Sequence, residues 1–128
     1  MSGKTAAIRA AAAIAPAALA AASCTPEDVA KQCIIDAFGG GDPNGPLVAH
    51  ALEIAYRESR YQASAFNPPP GGCEGYGCYG LFQLHGRYAP AWFSAVGLNF
   101  HTQWSDPCAN AKAAKYLYTQ AGWSPWGG

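Results

Sequence analysis

Two glutamates, Glu53 and Glu58, fall within one predicted helix but differ in their neighbours. Apolar residues recur at helical spacing along one side of this helix, at Leu47, Val48, Ala51, Ile54 and Ala55. Glu53 points away from that side and precedes Arg57 by four residues, the favourable order for an exposed ion pair. Glu58 lies on the apolar side near the helix end. Because loss of water favours the neutral form of a carboxyl group, Glu58 is the candidate general acid. The alternative is a frayed helix end with a solvated Glu58.

The elements that must hold Glu58 in place are short helices on both sides of a loop segment. Thr25 is the expected N-cap of a first helix, whose buried stripe would be Val29, Cys33 and Ala37. Asp106 is the expected N-cap of a last helix, which ends near residue 122. The pattern predicts an α+β, mostly α, fold with about four helices around a short glycine-rich segment.

The glycine-rich segment, residues 67–80, reads NPPPGGCEGYGCYG and predicts loops and turns. The next residues, YGLFQL at 79–84, are compatible with a strand or with the start of a helix. Tyr76 and Tyr79 in this segment are harder to explain as core than the other aromatic residues. Sugars stack on exposed aromatic rings, so Tyr79 is a candidate substrate-binding residue.

The chain has five cysteines, an odd number that leaves one without an intramolecular partner. Cys73 and Cys78 close a tight local loop and form the first expected disulfide. Cys33 and Cys108 would then join the first helix to the last, leaving Cys24. A zinc site is not expected, since no CxxC pair exists and the three histidines are scattered.

Residues 1–23 differ in composition from the remaining chain, residues 24–128, which are expected to form one domain. Lys4 and Arg9 precede an alanine-rich apolar run that ends in small residues, the pattern of a secretory signal peptide. The alternative is an alanine-rich helix or arm. Cleavage near residues 20–22 is one expected outcome, and lipidation of Cys24 in the sequence AASC is the other. The localisation expected is therefore exported: periplasmic, cell-envelope or extracellular.

Once Lys4 and Arg9 are removed, six basic residues face eight acidic ones, a formal charge of −2. A basic patch for nucleic acid is missing from the sequence. No cofactor is expected, a monomer is expected, and membrane contact is expected only through a lipidated Cys24.

Four stretches taken together resemble one family: RESRYQASAFN, YGLFQL, DPCANAKAAKYLY and GWSPW. Their order and gaps are similar to those of the lysozyme-like domains of soluble lytic transglycosylases and of phage tail or cell-wall enzymes. The resemblance covers about residues 44–126. It implies that Glu58 is the catalytic acid, that Ser59 orients it or contacts substrate, and that Gln83 lines the cleft. It places Tyr118 near the cleft by a looser match, and the loop around the Cys73–Cys78 pair departs from the family pattern.

The activity that this resemblance implies is cleavage of the β-1,4 bond between N-acetylmuramic acid and N-acetylglucosamine in peptidoglycan. Most glycosidases need two carboxylates. The candidates downstream are Glu74, whose alternative is a solvated loop charge, and Asp106, better explained as an N-cap. Lytic transglycosylases use one glutamate as both acid and base. The substrate's N-acetyl group stabilises the cation, and its 6-hydroxyl attacks to give a 1,6-anhydro product. Hydrolysis and transglycosylation both stay open. So does a non-catalytic role as a peptidoglycan-binding, envelope or virion protein of the same fold.

Overall fold

The computed structural model describes residues 24–128, and the predicted signal peptide lies outside them. This part of the chain is mostly helical, with one small antiparallel sheet, as expected from the sequence. Its α-helices are α1 (Pro26–Phe38), α2 (Pro46–Ser59), α3 (Ala89–Ala95), α4 (Phe100–Gln103) and α5 (Pro107–Ala121). The short helix α4 is additional to the expected four. Single 3-10 turns lie at Cys73–Gly75 and Ser124–Trp126.

Helix α1 begins as predicted, but a different stripe of it is buried. Thr25 Oγ1 accepts a hydrogen bond from the backbone N–H of Asp28, and the Asp28 carboxylate accepts one from the N–H of Thr25. Val29 is 44% exposed, which corrects the predicted stripe; the buried residues are Ala30, Cys33, Ile34 and Phe38. Burying Ile34 and Phe38 removes more apolar surface from water than burying Val29 and Ala37 would.

Helix α2, which carries Glu58, is fixed by its buried side. Val48, Ala51, Ile54 and Ala55 are almost fully buried, and helices α1 and α2 pack against each other. The chain leaves the helix through two consecutive non-glycine residues of positive φ, Arg60 at 52° and Tyr61 at 61°. Few side chains adopt this conformation. Here it is held by Tyr61, whose hydroxyl donates a 3.0 Å hydrogen bond to the carbonyl oxygen of Leu52.

The glycine-rich segment forms the sheet. Its strands β1 (Phe66–Asn67), β2 (Cys78–Tyr79) and β3 (Leu84–His85) are antiparallel and lie in the order β1-β2-β3. Phe66 pairs with Tyr79, and Cys78 pairs with His85. The stretch YGLFQL is therefore neither one strand nor a helix. It is the end of β2, a turn, and the start of β3.

Both predicted disulfides are present, Cys33–Cys108 and Cys73–Cys78. The first joins α1 to α5, the two helices with the most extensive mutual packing. The second closes the loop before β2. Cys24 is free and exposed at the start of the described residues.

Candidate active site

Glu58 is the penultimate residue of α2, and its side chain is only 10% exposed. Glu53, one and a half turns earlier in the same helix, is exposed, as its place on the helical wheel predicts. The Arg57 guanidinium Nε lies 3.7 Å from Glu58 Oε2, and Arg57 also donates to the carbonyl oxygen of Trp126. Arg57 thus contacts Glu58 and the C-terminal segment, an arrangement that the expected pairing with Glu53 did not anticipate.

Ser59 fixes the end of α2 against the sheet. Its side chain is buried, with Oγ 2.7 Å from the carbonyl oxygen of Leu81 and 3.0 Å from that of Ala55. A hydroxyl has one proton to donate, and the shorter contact crosses from the helix to the turn after β2. Since the hydroxyl faces these carbonyl groups in the interior, Ser59 positions the helix end on which Glu58 stands. The structure does not place it for direct contact with substrate.

The turn that receives Ser59, residues 80–83, is here named the clamped turn, because buried side chains hold its backbone from several directions. Asn110 of α5 does most of this: its Oδ1 accepts from the N–H of Phe82 at 2.9 Å. Its Nδ2 donates to the carbonyl oxygens of Tyr79 and Trp104, both at 3.0 Å. From the C-terminal segment, Trp126 Nε1 donates to the Phe82 carbonyl oxygen at 2.9 Å.

Gln83 closes the clamped turn from within. Its Nε2 lies 3.0 Å from the carbonyl oxygens of both Ala65 and Gly80, and its Oε1 accepts from Asn67 Nδ2 at 3.0 Å. The side chain is fully buried. The prediction that Gln83 lines the cleft is therefore corrected, because its amide is used to join β1 to the turn and does not reach the surface.

Glycine is required at position 80 of this turn. Its φ is +78°, and an added Cβ would overlap Asn110 Nδ2 and the Trp104 carbonyl oxygen. Gly80 N–H also donates to Ala65 O at 2.7 Å. The close approach of α5 to the turn therefore depends on the missing side chain.

The two tyrosines predicted to meet substrate are packed against the core. The centre of the Tyr79 ring lies 4.9 Å from the ring centre of Phe66, 5.0 Å from that of Phe100 and 5.3 Å from that of Trp104. Tyr118 lies 4.5 Å from Trp123 and contacts Phe38. Both are only partly exposed, so the structure gives them a packing role.

Glu74, the candidate second carboxylate, is 81% exposed and has a partner that the sequence did not indicate. Its Oε1 lies 3.0 Å from His85 Nε2. The backbone N–H of Arg87 points at His85 Nδ1 from 3.2 Å. With Nδ1 as the acceptor, the imidazole proton is on Nε2 and is donated to Glu74. The sequence did not predict the Glu74–His85 pair, because no local pattern marks it. Eleven residues and a reversal of chain direction separate its two members.

Two cavities next to α1, α2 and α5 lie away from Glu58 and contain no carboxylate among their lining residues. One cavity, about 360 Å³, is lined mainly by apolar atoms between α1 and α5, with Lys112 and Lys115 at its edge. Within residues 24–128 no group of three or more histidine, cysteine or acidic residues is placed to hold a metal ion. In the same range, no helix has the length and apolar character needed to cross a bilayer.

Comparison of the chain with protein-family models, with curated proteins and with solved structures gave no match.

Proposed function

We propose that this protein cleaves the β-1,4 glycosidic bond between N-acetylmuramic acid and N-acetylglucosamine in peptidoglycan, with Glu58 as general acid and then base. We also propose that its helices and small sheet form a lysozyme-like fold. The observation that carries the proposal is Glu58 itself: it is 10% exposed, at the end of a helix, on a backbone tied to the sheet through Ser59 and Leu81.

The proposed chemistry needs a carboxyl group that can be neutral when substrate binds. A rigid helix end keeps the proton donor in one place. The proton goes to the glycosidic oxygen as the bond to the sugar's C1 breaks. Arg57, 3.7 Å away and 45% exposed, can balance the negative charge that Glu58 then carries.

The second half of the reaction needs a nucleophile and a base. In the proposal Glu58, now ionised, takes a proton from the attacking hydroxyl group. In hydrolysis the attacking O–H belongs to a water molecule. In transglycosylation it is the 6-hydroxyl of the muramic acid residue. Substrate assistance by the N-acetyl group is a known alternative to a second carboxylate. The exposed Glu74, hydrogen-bonded to His85, leaves the single-glutamate scheme as the simpler one.

Mass spectrometry of digested peptidoglycan sacculi tests the proposal. Products with 1,6-anhydro ends would support transglycosylation, and products with reducing ends would support hydrolysis. Intact glycan, from a protein whose two disulfides are formed, would overturn the enzymatic proposal. Binding to sacculi without cleavage would favour the non-catalytic alternative.

A further inference from the structure

Arg87 lies between two half-exposed tyrosines just after strand β3. The Tyr76 and Tyr88 side chains are among the few large hydrophobic ones left exposed, at 47% and 46%. The Arg87 guanidinium carbon lies 5.4 Å from the centre of the Tyr76 ring and 5.5 Å from that of the Tyr88 ring. We name this surface, formed by Tyr76, Arg87 and Tyr88, the arginine face.

Contacts within the fold hold the side chains of the arginine face. Arg87 Nη1 is 3.3 Å from the Tyr76 hydroxyl, and both tyrosine rings pack against His85, at 5.5 and 4.9 Å. The N–H of Gly86 donates to Gly77 O at 2.8 Å and joins the two arms of the hairpin. A guanidinium held by rings and a hydroxyl has lost much of its rotamer freedom, which lowers the entropy cost of binding a ligand.

Within residues 24–128 the charge of Arg87 meets aromatic rings and one hydroxyl group but no carboxylate. Among residues 24–128, no carboxylate lies within ion-pair distance of its guanidinium; the nearest acidic residue along the hairpin, Glu74, faces His85. Most donors of the guanidinium are therefore available to an external acceptor. A planar carboxylate is the natural partner, since it can accept two parallel hydrogen bonds from one guanidinium.

We infer that the arginine face binds a free carboxylate of the stem peptides that peptidoglycan strands carry on their muramic acid residues. This inference rests on the proposed function, because it names the part of the substrate that the face recognises. The tyrosine rings offer apolar surfaces for the neighbouring C–H groups of sugar or peptide. The arginine face comes directly after β3, and β3 directly follows the clamped turn. Because Ser59 bonds this turn to the end of α2, the position of the arginine face relative to Glu58 is fixed.

The test measures binding to sacculi by the full chain carrying Glu58→Gln, which removes cleavage from the assay. Three wall preparations are compared: untreated, stripped of phosphate polymers by hydrofluoric acid, and stripped and then converted to methylamides at the carboxyl groups by carbodiimide coupling. Arg87→Gln is expected to weaken binding to untreated and stripped walls about fivefold to tenfold, the size expected for loss of a partly exposed charge-assisted hydrogen bond. On amidated walls the two proteins should bind alike.

Matched variants separate recognition from general charge and from folding. Lys112→Gln removes the same charge from the exposed face of α5 and should bind like its parent on every wall. Arg87→Lys keeps the charge but loses the planar donors, and should lie between parent and Arg87→Gln. Thermal unfolding of each variant must match the parent, as expected for an exposed side chain.

Three outcomes would overturn the inference: equal binding by parent and Arg87→Gln on stripped walls, a deficit of Arg87→Gln that survives amidation, or a deficit that disappears with the phosphate polymers. The last would identify phosphate as the ligand. Cleavage by the wild-type chain is measured separately, so a non-binding face beside an active enzyme overturns only this inference. A binding face on a protein that cleaves nothing overturns only the proposed function.

Discussion

Ser59 Oγ donates a hydrogen bond to the carbonyl oxygen of Leu81, 22 residues further along the chain, at 2.7 Å. This contact joins the last residue of α2 to the clamped turn, and it is buried. The residue before Ser59 is the candidate acid. One hydroxyl group therefore fixes the helix end that carries Glu58 to the turn between β2 and β3.

The first prediction concerns Glu58. Glu58→Gln keeps the shape of the side chain but removes the transferable proton, so the rate of peptidoglycan cleavage should fall about 10²- to 10⁴-fold, as for loss of a general acid. Turbidity clearing and product analysis measure this. Glu53→Gln, an exposed change in the same helix, is the matched control and should clear at the parent rate. Normal clearing by Glu58→Gln would remove Glu58 from the mechanism.

Ser59→Ala should weaken the connection between α2 and the clamped turn. The Leu81 carbonyl loses its buried donor, and the free energy of unfolding should fall by about 1–3 kcal/mol. The control Ser94→Ala changes an exposed serine of α3 and should stay within about 0.5 kcal/mol. Urea denaturation gives both values. If the proposed function holds, Ser59→Ala should also lower kcat more than it raises KM; an unchanged stability would contradict the positioning role.

The two disulfides should differ in their contribution to stability. Their cysteines are separated by 75 and by 5 residues, and the loop-entropy model assigns about 4.5 kcal/mol to the first and about 2 kcal/mol to the second. Replacing Cys33 and Cys108 by serine should therefore lower the denaturation midpoint more than replacing Cys73 and Cys78. The opposite order would show that strain or residual structure outweighs loop closure in this protein.

Because Asp28 belongs to the capping box of α1, the stability of the folded protein should fall at low pH. Hydrogen bonds from the backbone N–H of Thr25, and then from its hydroxyl, lower the pKa of Asp28 from its ordinary value of 3.8. A lowered folded-state pKa stabilises the protein above 3.8, and this stabilisation is lost as the pH falls through the lower, folded value. Melting temperatures between about pH 5 and about pH 2 should fall less steeply for Asp28→Asn than for the parent. Parallel curves would be the contrary result.

Local patterns were enough to predict the elements with strong caps and periodicity. The capping box at Thr25, the N-cap at Asp106 and the apolar side of α2 each act through neighbours within a few residues. Glu58 could be picked out for the same reason, since helical spacing alone places it beside Ile54 and Ala55. The short loop between Cys73 and Cys78 predicted the first disulfide. The second then followed from pairing Cys33 with Cys108 and leaving Cys24 free.

What stayed beyond the sequence was set by contacts between distant residues. The resemblance implied a cleft-lining role for Gln83 and an orienting or substrate-contacting role for Ser59. Both are buried, because the clamped turn needs donors and acceptors from β1 and from α2. The Glu74–His85 pair and the arginine face exist only because the sheet folds the glycine-rich segment back on itself.

The sequence by itself determined the helices other than α4, the N-caps at Thr25 and Asp106, the disulfide partners and the place of Glu58 on the apolar side of α2, because these depend on spacing and side-chain type. Only the tertiary structure decided which polar side chains brace the interior and which remain at the surface. That choice depends on satisfying buried backbone groups, and their positions are known only once α5, the C-terminal segment and the sheet have come together around the clamped turn.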